Sequence, residues 1–176
     1  MGRHFYWVLS ARNIGLDEAK AYFNPTLKAQ LPDPSSLKDM DVGAERLASA
    51  IMQGEHVAVF GDYDVDGATS SALLLRFFRA VGSEITLYVP DRLKEGYGPN
   101  TEALLKLRSD GVSVVVTVDC GTAAYEPLKA AADAGMDVVV VDHHVAEAKL
   151  PQSTALINPN RLDESGEFSQ LAAVGV

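Results

Sequence analysis

HVAVFGDYDVDG, residues 56–67, decides the fold of this chain. Val57 to Phe60 is an apolar run of strand length, too short for a buried helix. It enters a turn carrying Asp62, Asp64 and Asp66, and Gly67 then opens an apolar-rich stretch that reads as a helix to about Val81. Strand, polar turn and helix in that order form the first half of a parallel crossover unit.

Downstream the same alternation repeats. Ile85 to Val89 reads as a second strand, and Thr101 to Arg108 as a helix introduced by Pro99-Asn100. Val112 to Val118 is a third strand, Tyr125 to Ala134 a helix and Val138 to Val141 a fourth strand, with Ala155 to Ile157 a candidate fifth. Valine runs this continuous belong to strands covered on both faces. The expected class is therefore α/β, a mostly parallel sheet flanked by helices. Upstream, Asp41 is expected to cap a helix running through Met52, with Gly54 just past its end. Leu16 to Phe23 reads as a short helix stopped at Asn24-Pro25. Residues 1–40 are read as a helical extension and connector packed on a main domain of residues 41–176.

The 176 residues suffice for one ordinary domain, and 47% are hydrophobic, which opposes disorder. A single cysteine, Cys120, excludes a disulfide framework and fits a reducing cytoplasm. With no neighbouring base implied, it reads as a small buried residue rather than a nucleophile. No apolar run approaches the roughly 18 residues of a membrane span. The expectation is a soluble cytoplasmic protein with no membrane partner. Net charge is −9, which argues against a basic nucleic-acid-binding face over the whole domain. It does not argue against nucleic-acid chemistry, because carboxylates gathered to hold cations give the same sign.

Three strands run into acidic or histidine residues: Asp62-Tyr63-Asp64-Val65-Asp66, Asp119-Cys120-Gly121 and Asp142-His143-His144. Ligands of open parallel sheets bind outside the carboxyl ends of the strands, so these groups share one edge. The i, i+2, i+4 spacing of Asp62, Asp64 and Asp66 would put them on one side of an extended segment. Unpaired they would repel, and Mn²⁺ or Mg²⁺ suits an oxygen-rich site with an imidazole. A calcium loop of the EF-hand type needs a glutamate at its twelfth position, where counting from Asp62 gives Leu73. Adjacent histidines at a strand end are expected to point to opposite sides, one toward metal and one toward substrate. His4 and His56 lack such a context and read as structural or exposed.

FGDYDVDGATSSALL, VTVDCGT and VVVDHH resemble, in order, three motifs of the DHH phosphoesterases. The DYDVDGATS wording resembles the RecJ-type single-stranded-DNA exonucleases within that family. So do LPDPSSLKDMDVGAERLASAI, YVPDRLKEGYGPN and INPNR, and LAAVGV looks like the start of a fourth motif. The resemblance implies two divalent cations, Mn²⁺ or Mg²⁺, with Asp64, Asp66, Asp119 and His143 as ligands and Asp62 beside them. Asp119 is the better candidate to bridge the ions. Asp142 would orient a histidine, and His144 would contact the scissile phosphate. Arg92 and Tyr97 are candidates for holding DNA phosphate, and Asn158 and Arg161 for contacting substrate or supporting the site.

Implied too is 5′-to-3′ hydrolysis of single-stranded DNA in repair and recombination. Two departures stand against the family pattern. Phe60 occupies a position where several relatives have histidine, and the chain stops before a later aspartate and a C-terminal substrate-binding domain. The 176 residues are therefore expected to be an N-terminal part, inactive by itself. Two rival readings remain: another DHH phosphoesterase, acting on pyrophosphate, oligoribonucleotides or cyclic dinucleotides, or a non-enzymatic acidic α/β binding module. The second has no need of Asp142-His143-His144.

Overall fold

A computed structural model describes residues 3–26 and 31–176, with side chains described from residue 5. It divides into two compact units, Met1–Asp33 and Pro34–Val176. In the first, α1 (Arg3–Ala11) and α2 (Ala19–Phe23) are joined by a turn, with Leu9 and Ala19 buried and Phe5 edge-on to Phe23. Helix α1 lies where the sequence reading placed no helix, and α2 begins three residues later than expected. The side chain of His4 lies outside the described residues.

In the second unit the order is α3 (Met40–Gln53), β1 (Val57–Gly61), α4 (Val65–Ala80), β2 (Ile85–Tyr88), α5 (Thr101–Ser109), β3 (Val114–Val118), α6 (Tyr125–Asp133), β4 (Asp137–Val141) and β5 (Ala155–Ile157). All five strands are parallel, in the order β2-β1-β3-β4-β5. The expected α/β class is what forms, and Ala155–Ile157 is a full member of the sheet. Alternation along the strands divides the core. Ala58, Phe60, Val115 and Val140 pack with Leu104, Leu107 and Leu128 of α5 and α6. Val57, Val59, Val114 and Val116 pack with Ala50 and Phe78 of α3 and α4. Both faces are thus covered, which is why these strands read as unbroken valine runs. Among the described residues, no helix is long and apolar enough to cross a membrane.

Several boundaries differ from the sequence reading for local reasons. Strand β3 starts at Val114 because the Val112 N–H is still spent on Leu107 at the exit of α5. Asp41 does not cap α3; its carboxylate accepts from the Ser35 hydroxyl at 2.7 Å. The residue before that helix is Asp39, whose carboxylate is drawn instead to the Leu156 N–H at 3.1 Å and to Arg161 at 2.7 Å. Helix α4 begins two residues early, at Val65, because Asp64 caps it.

Candidate metal centre

Strand register builds the centre. Gly61 pairs with Val118, Val118 with Val141, and Val141 with Ile157, so those four residues lie on one rung. The next residue of each strand is Asp62, Asp119, Asp142 and Asn158. The N–H groups of Asp62, Asp119 and Asp142 continue the ladder, donating to the carbonyls of Val118, Val141 and Ile157. Three buried carboxylates and a buried amide are delivered to one edge by register alone.

The remaining aspartates arrive by a different route from the one their spacing suggested. The chain does not stay extended after Asp62. Asp64 Oδ1 accepts the N–H groups of Asp66 at 2.9 Å and Gly67 at 3.1 Å, turning the chain into α4. Those bonds, led by that from Gly67, hold the Asp64 carboxyl below its ordinary range. The fold requires glycine at 67, since a Cβ there would lie 2.4 Å from the Asp62 carbonyl oxygen.

Two overlapping clusters result. Asp62, Asp64 and Asp119 each offer an oxygen within 4.8 Å of the others, and Asp119, His143 and His144 do the same with an oxygen and two ring nitrogens. Asp119 belongs to both. Oδ1 of Asp62 and Oδ1 of Asp119 are buried without a hydrogen-bond partner. His143 Nε2 lies 3.2 Å from the latter oxygen, a contact without hydrogen-bond alignment. Burial, followed by the neighbouring Asp64 and Asp66, pushes the Asp119 carboxyl up to about 7, and burial raises Asp62 as well. Buried acceptors lacking donors, set among like charges, fit hard cations better than any internal partner.

The two histidines do not point to opposite sides. They lie past the end of β4 in a loop shaped by Asp142, with ring centroids 4.9 Å apart. Asp142 Oδ1 accepts from the His143 N–H at 2.7 Å and from His144 Nδ1 at 2.7 Å, while Oδ2 accepts the Thr122 N–H at 3.0 Å. Burial would raise the Asp142 carboxyl, yet the bonds from His144 and Thr122 outweigh it and keep it low. Burial in turn would lower His144, and Asp142 raises it instead. With Nδ1 engaged, Nε2 is the ring nitrogen left for a ligand.

Of the other expected site residues, Asp66 has both carboxylate oxygens engaged, at 2.8 Å each, by the N–H groups of Ala173 and Val174. Oδ2 also lies 3.6 Å from His143 Nε2. Tyr97 donates its hydroxyl to the Asp119 carbonyl at 3.1 Å and lies beside the His144 ring; burial drives its own ionisation upward. Arg92 stacks its guanidinium 4.7 Å above the Tyr63 ring.

Of the two roles expected for Asn158 and Arg161, neither side chain offers itself to a substrate, and Asn158 has the supporting one. Asn158 is fully buried and donates to Thr122 Oγ1 and to the His144 carbonyl. Arg161 is spent on Asp39, Asp163 and the Leu156 carbonyl, joining the start of α3 to β5. Asn160 and Thr122 were not singled out from the sequence. Asn160 donates to the His143 carbonyl. Their only signal was membership of INPNR and VTVDCGT. Cys120 is buried, as expected, and His56 is exposed and bonded to the Thr86 hydroxyl at 2.8 Å.

A family model described as the DHH family, N-terminal domain, matches residues 56–176. The chain belongs to the DHH family. Its relatives include the single-stranded-DNA-specific exonuclease RecJ of Bacillus subtilis (strain 168), 37% identical over 169 residues that make up 96% of this chain and 22% of that protein. RecJ of Salmonella typhimurium (strain LT2) is 38% identical over 152 residues, 86% of this chain and 26% of that one. Among solved structures, an exonuclease RecJ bound to manganese matches with a TM-score of 0.72 and 32% identity, over 80% of this chain and 35% of that one. RecJ in complex with Mn²⁺ from Thermus thermophilus matches at 0.69 and 26% identity, over 98% of this chain and 25% of that one. The chain spans about a quarter of the length of these curated relatives. In this DHH-family chain Phe60 is a core residue stacked on Tyr88, so β1 sends no histidine toward the centre from that position.

Proposed function

We propose that this domain holds the cations of a metal-dependent phosphodiesterase, a single-stranded-DNA-specific exonuclease working from the 5′ end in DNA repair and recombination in the cytoplasm. The observation that carries the reading is the pair of ligand clusters sharing Asp119, with unpartnered buried oxygens on Asp62 and Asp119. The 37% identity to a single-stranded-DNA-specific exonuclease supports the substrate, and manganese in a similar solved structure supports the cation. The reading assigns residues 41–176 to the metal-binding domain and residues 1–40 to its helical appendage.

Asp62 and Asp64 would hold one cation and His143 the other, with Asp119 between them and Asp66 supporting His143. Bound there, Mn²⁺ or Mg²⁺ would supply a nucleophile at neutral pH and neutralise charge on the attacked phosphate. Asp142 takes the Nδ1–H of His144 and favours the protonated ring, so that Nε2–H of this imidazolium donates to the oxygen leaving phosphorus. The bond from phosphorus to that oxygen breaks as one to the water oxygen forms; the water gives up a proton to solvent, and the leaving oxygen takes the one carried on Nε2 of His144. Arg92 and Tyr97, on the loop after β2, flank the centre where a phosphate would approach. An acidic binding module without chemistry has no use for His144 held in this way.

The test compares hydrolysis of single-stranded DNA, duplex DNA and pyrophosphate by the protein carrying this domain. Preference for single strands, lost in Asp119→Ala, supports the reading. Faster hydrolysis of pyrophosphate than of DNA contradicts it.

A further inference from the structure

Beside the metal centre lies an open cavity of about 360 Å³, and Tyr97, Asp142 and His144 belong to both. Its other walls include Pro99, Ala124 and Val145, and Gly98 and Gly121 contribute backbone without side chains. We infer that this cavity receives the base of the nucleotide that bears the leaving oxygen, and that it accepts purine and pyrimidine alike. The inference rests on the phosphodiesterase reading of the centre and names the part of the substrate that reading leaves unplaced.

Position gives the first argument. His144 is the group that meets the leaving oxygen, and the sugar carrying that oxygen has its base within one nucleotide's reach. The cavity opens on the His144 side of the centre, where that base must lie. Size gives the second. Small-molecule pockets run from about 300 to 1,000 Å³, and this one sits at the small end, room for one base with part of its sugar.

Chemistry gives the third. Reading a base edge takes donors and acceptors aimed at it, and here most are engaged elsewhere. The Tyr97 hydroxyl donates to the Asp119 carbonyl, and His144 bonds Asp142 through Nδ1 and turns Nε2 to the leaving oxygen. Asp142 accepts from His143, His144 and Thr122, and the Thr122 hydroxyl oxygen accepts from Asn158. What remains for a base is the Thr122 hydroxyl hydrogen, too little to tell one edge from another, with an aromatic ring and apolar walls that bind any base through its face. A phosphatase acting on pyrophosphate would have no occupant for such a chamber.

Amide-resolved NMR titration of the metal-free chain with deoxyadenosine, thymidine and 2-deoxyribose tests this directly. Both nucleosides should shift the amides of Gly98, Thr122 and Ala123, binding at least about tenfold more tightly than the sugar, about 1.4 kcal/mol. Ala123 lines the cavity, is exposed and is no candidate ligand. Ala123→Trp should therefore weaken nucleoside binding at least about fivefold while Mn²⁺ affinity stays put. If tryptophan disturbs the amide spectrum elsewhere, Ala123→Leu replaces it. Equal shifts with deoxyribose, shifts confined to other residues, or nucleoside binding untouched by the filled cavity would each overturn the inference. Because no metal is present, failure here leaves the metal reading standing, and a failed Mn²⁺ titration leaves this result standing.

Discussion

Asp119 is buried at the end of β3, with a φ of 60° that places it in the left-handed region. Its carboxyl is pushed up to about 7, first by burial and then by Asp64 and Asp66. A carboxyl whose folded value lies above its unfolded one takes up protons on folding, so the metal-free fold loses stability as pH rises from about 4 to about 7. Thermal unfolding in chelator should show wild type less stable at pH 8 than at pH 5. Asp119→Asn should lose less stability over that interval, keeping only what the raised Asp62 and His144 contribute, and be more stable than wild type at pH 8 by roughly 1–3 kcal/mol. Equal pH dependence in the two proteins would count against a strained, cation-seeking carboxylate. For Asp142, which holds His144 rather than a cation, Asp142→Asn should cost about 10- to 100-fold in single-stranded-DNA hydrolysis by the protein carrying this domain. At this scale the sequence revealed which residues converge, since strand-end aspartates announce themselves. It did not reveal how they converge, because Asp64 turns the chain by capping α4 and Asp142 folds the two histidines to the same side.

At the scale of elements, the centre depends on α4 lying close against the end of β1. A Cβ on Gly67 would come within 2.4–2.7 Å of Asp62 backbone atoms, which cannot give way as a side chain can. Gly67→Ala should therefore cost about 1–3 kcal/mol in denaturant unfolding and weaken Mn²⁺ binding too. The opposite end of the sheet is pinned by Arg46 of α3, which bonds Glu55 at 2.8 and 2.9 Å and Asp137 at 2.7 Å. Its bond from Arg46, then that from Ser113, holds the Glu55 carboxyl below its ordinary range. That contribution is full above the unfolded value and fades as pH falls through the folded one. Arg46→Met should cost about 1–3 kcal/mol at pH 7 and flatten the acid side of the stability curve. Strand and helix placement in the main domain followed from valine runs and Asp-rich turns, whereas the strand order came only with the structure. Asp39 and Arg161 could not be read that way, because they bond residues more than 110 positions distant in the chain.

Over the whole chain, a net charge of −9 and a centre crowded with carboxylates make the metal-free protein repellent to a phosphate backbone. Single-stranded DNA should show no measurable binding by fluorescence anisotropy in chelator at about 0.15 M salt, and binding should appear when Mn²⁺ is added. Binding that persists undiminished in chelator would place the strand elsewhere on the molecule. The two clusters that meet at Asp119 make the central claim countable. Calorimetric titration of the chain with Mn²⁺ is predicted to give two ions per chain, and Asp119→Ala is predicted to abolish both together. Retention of one or both ions at wild-type affinity in that variant would contradict a shared centre.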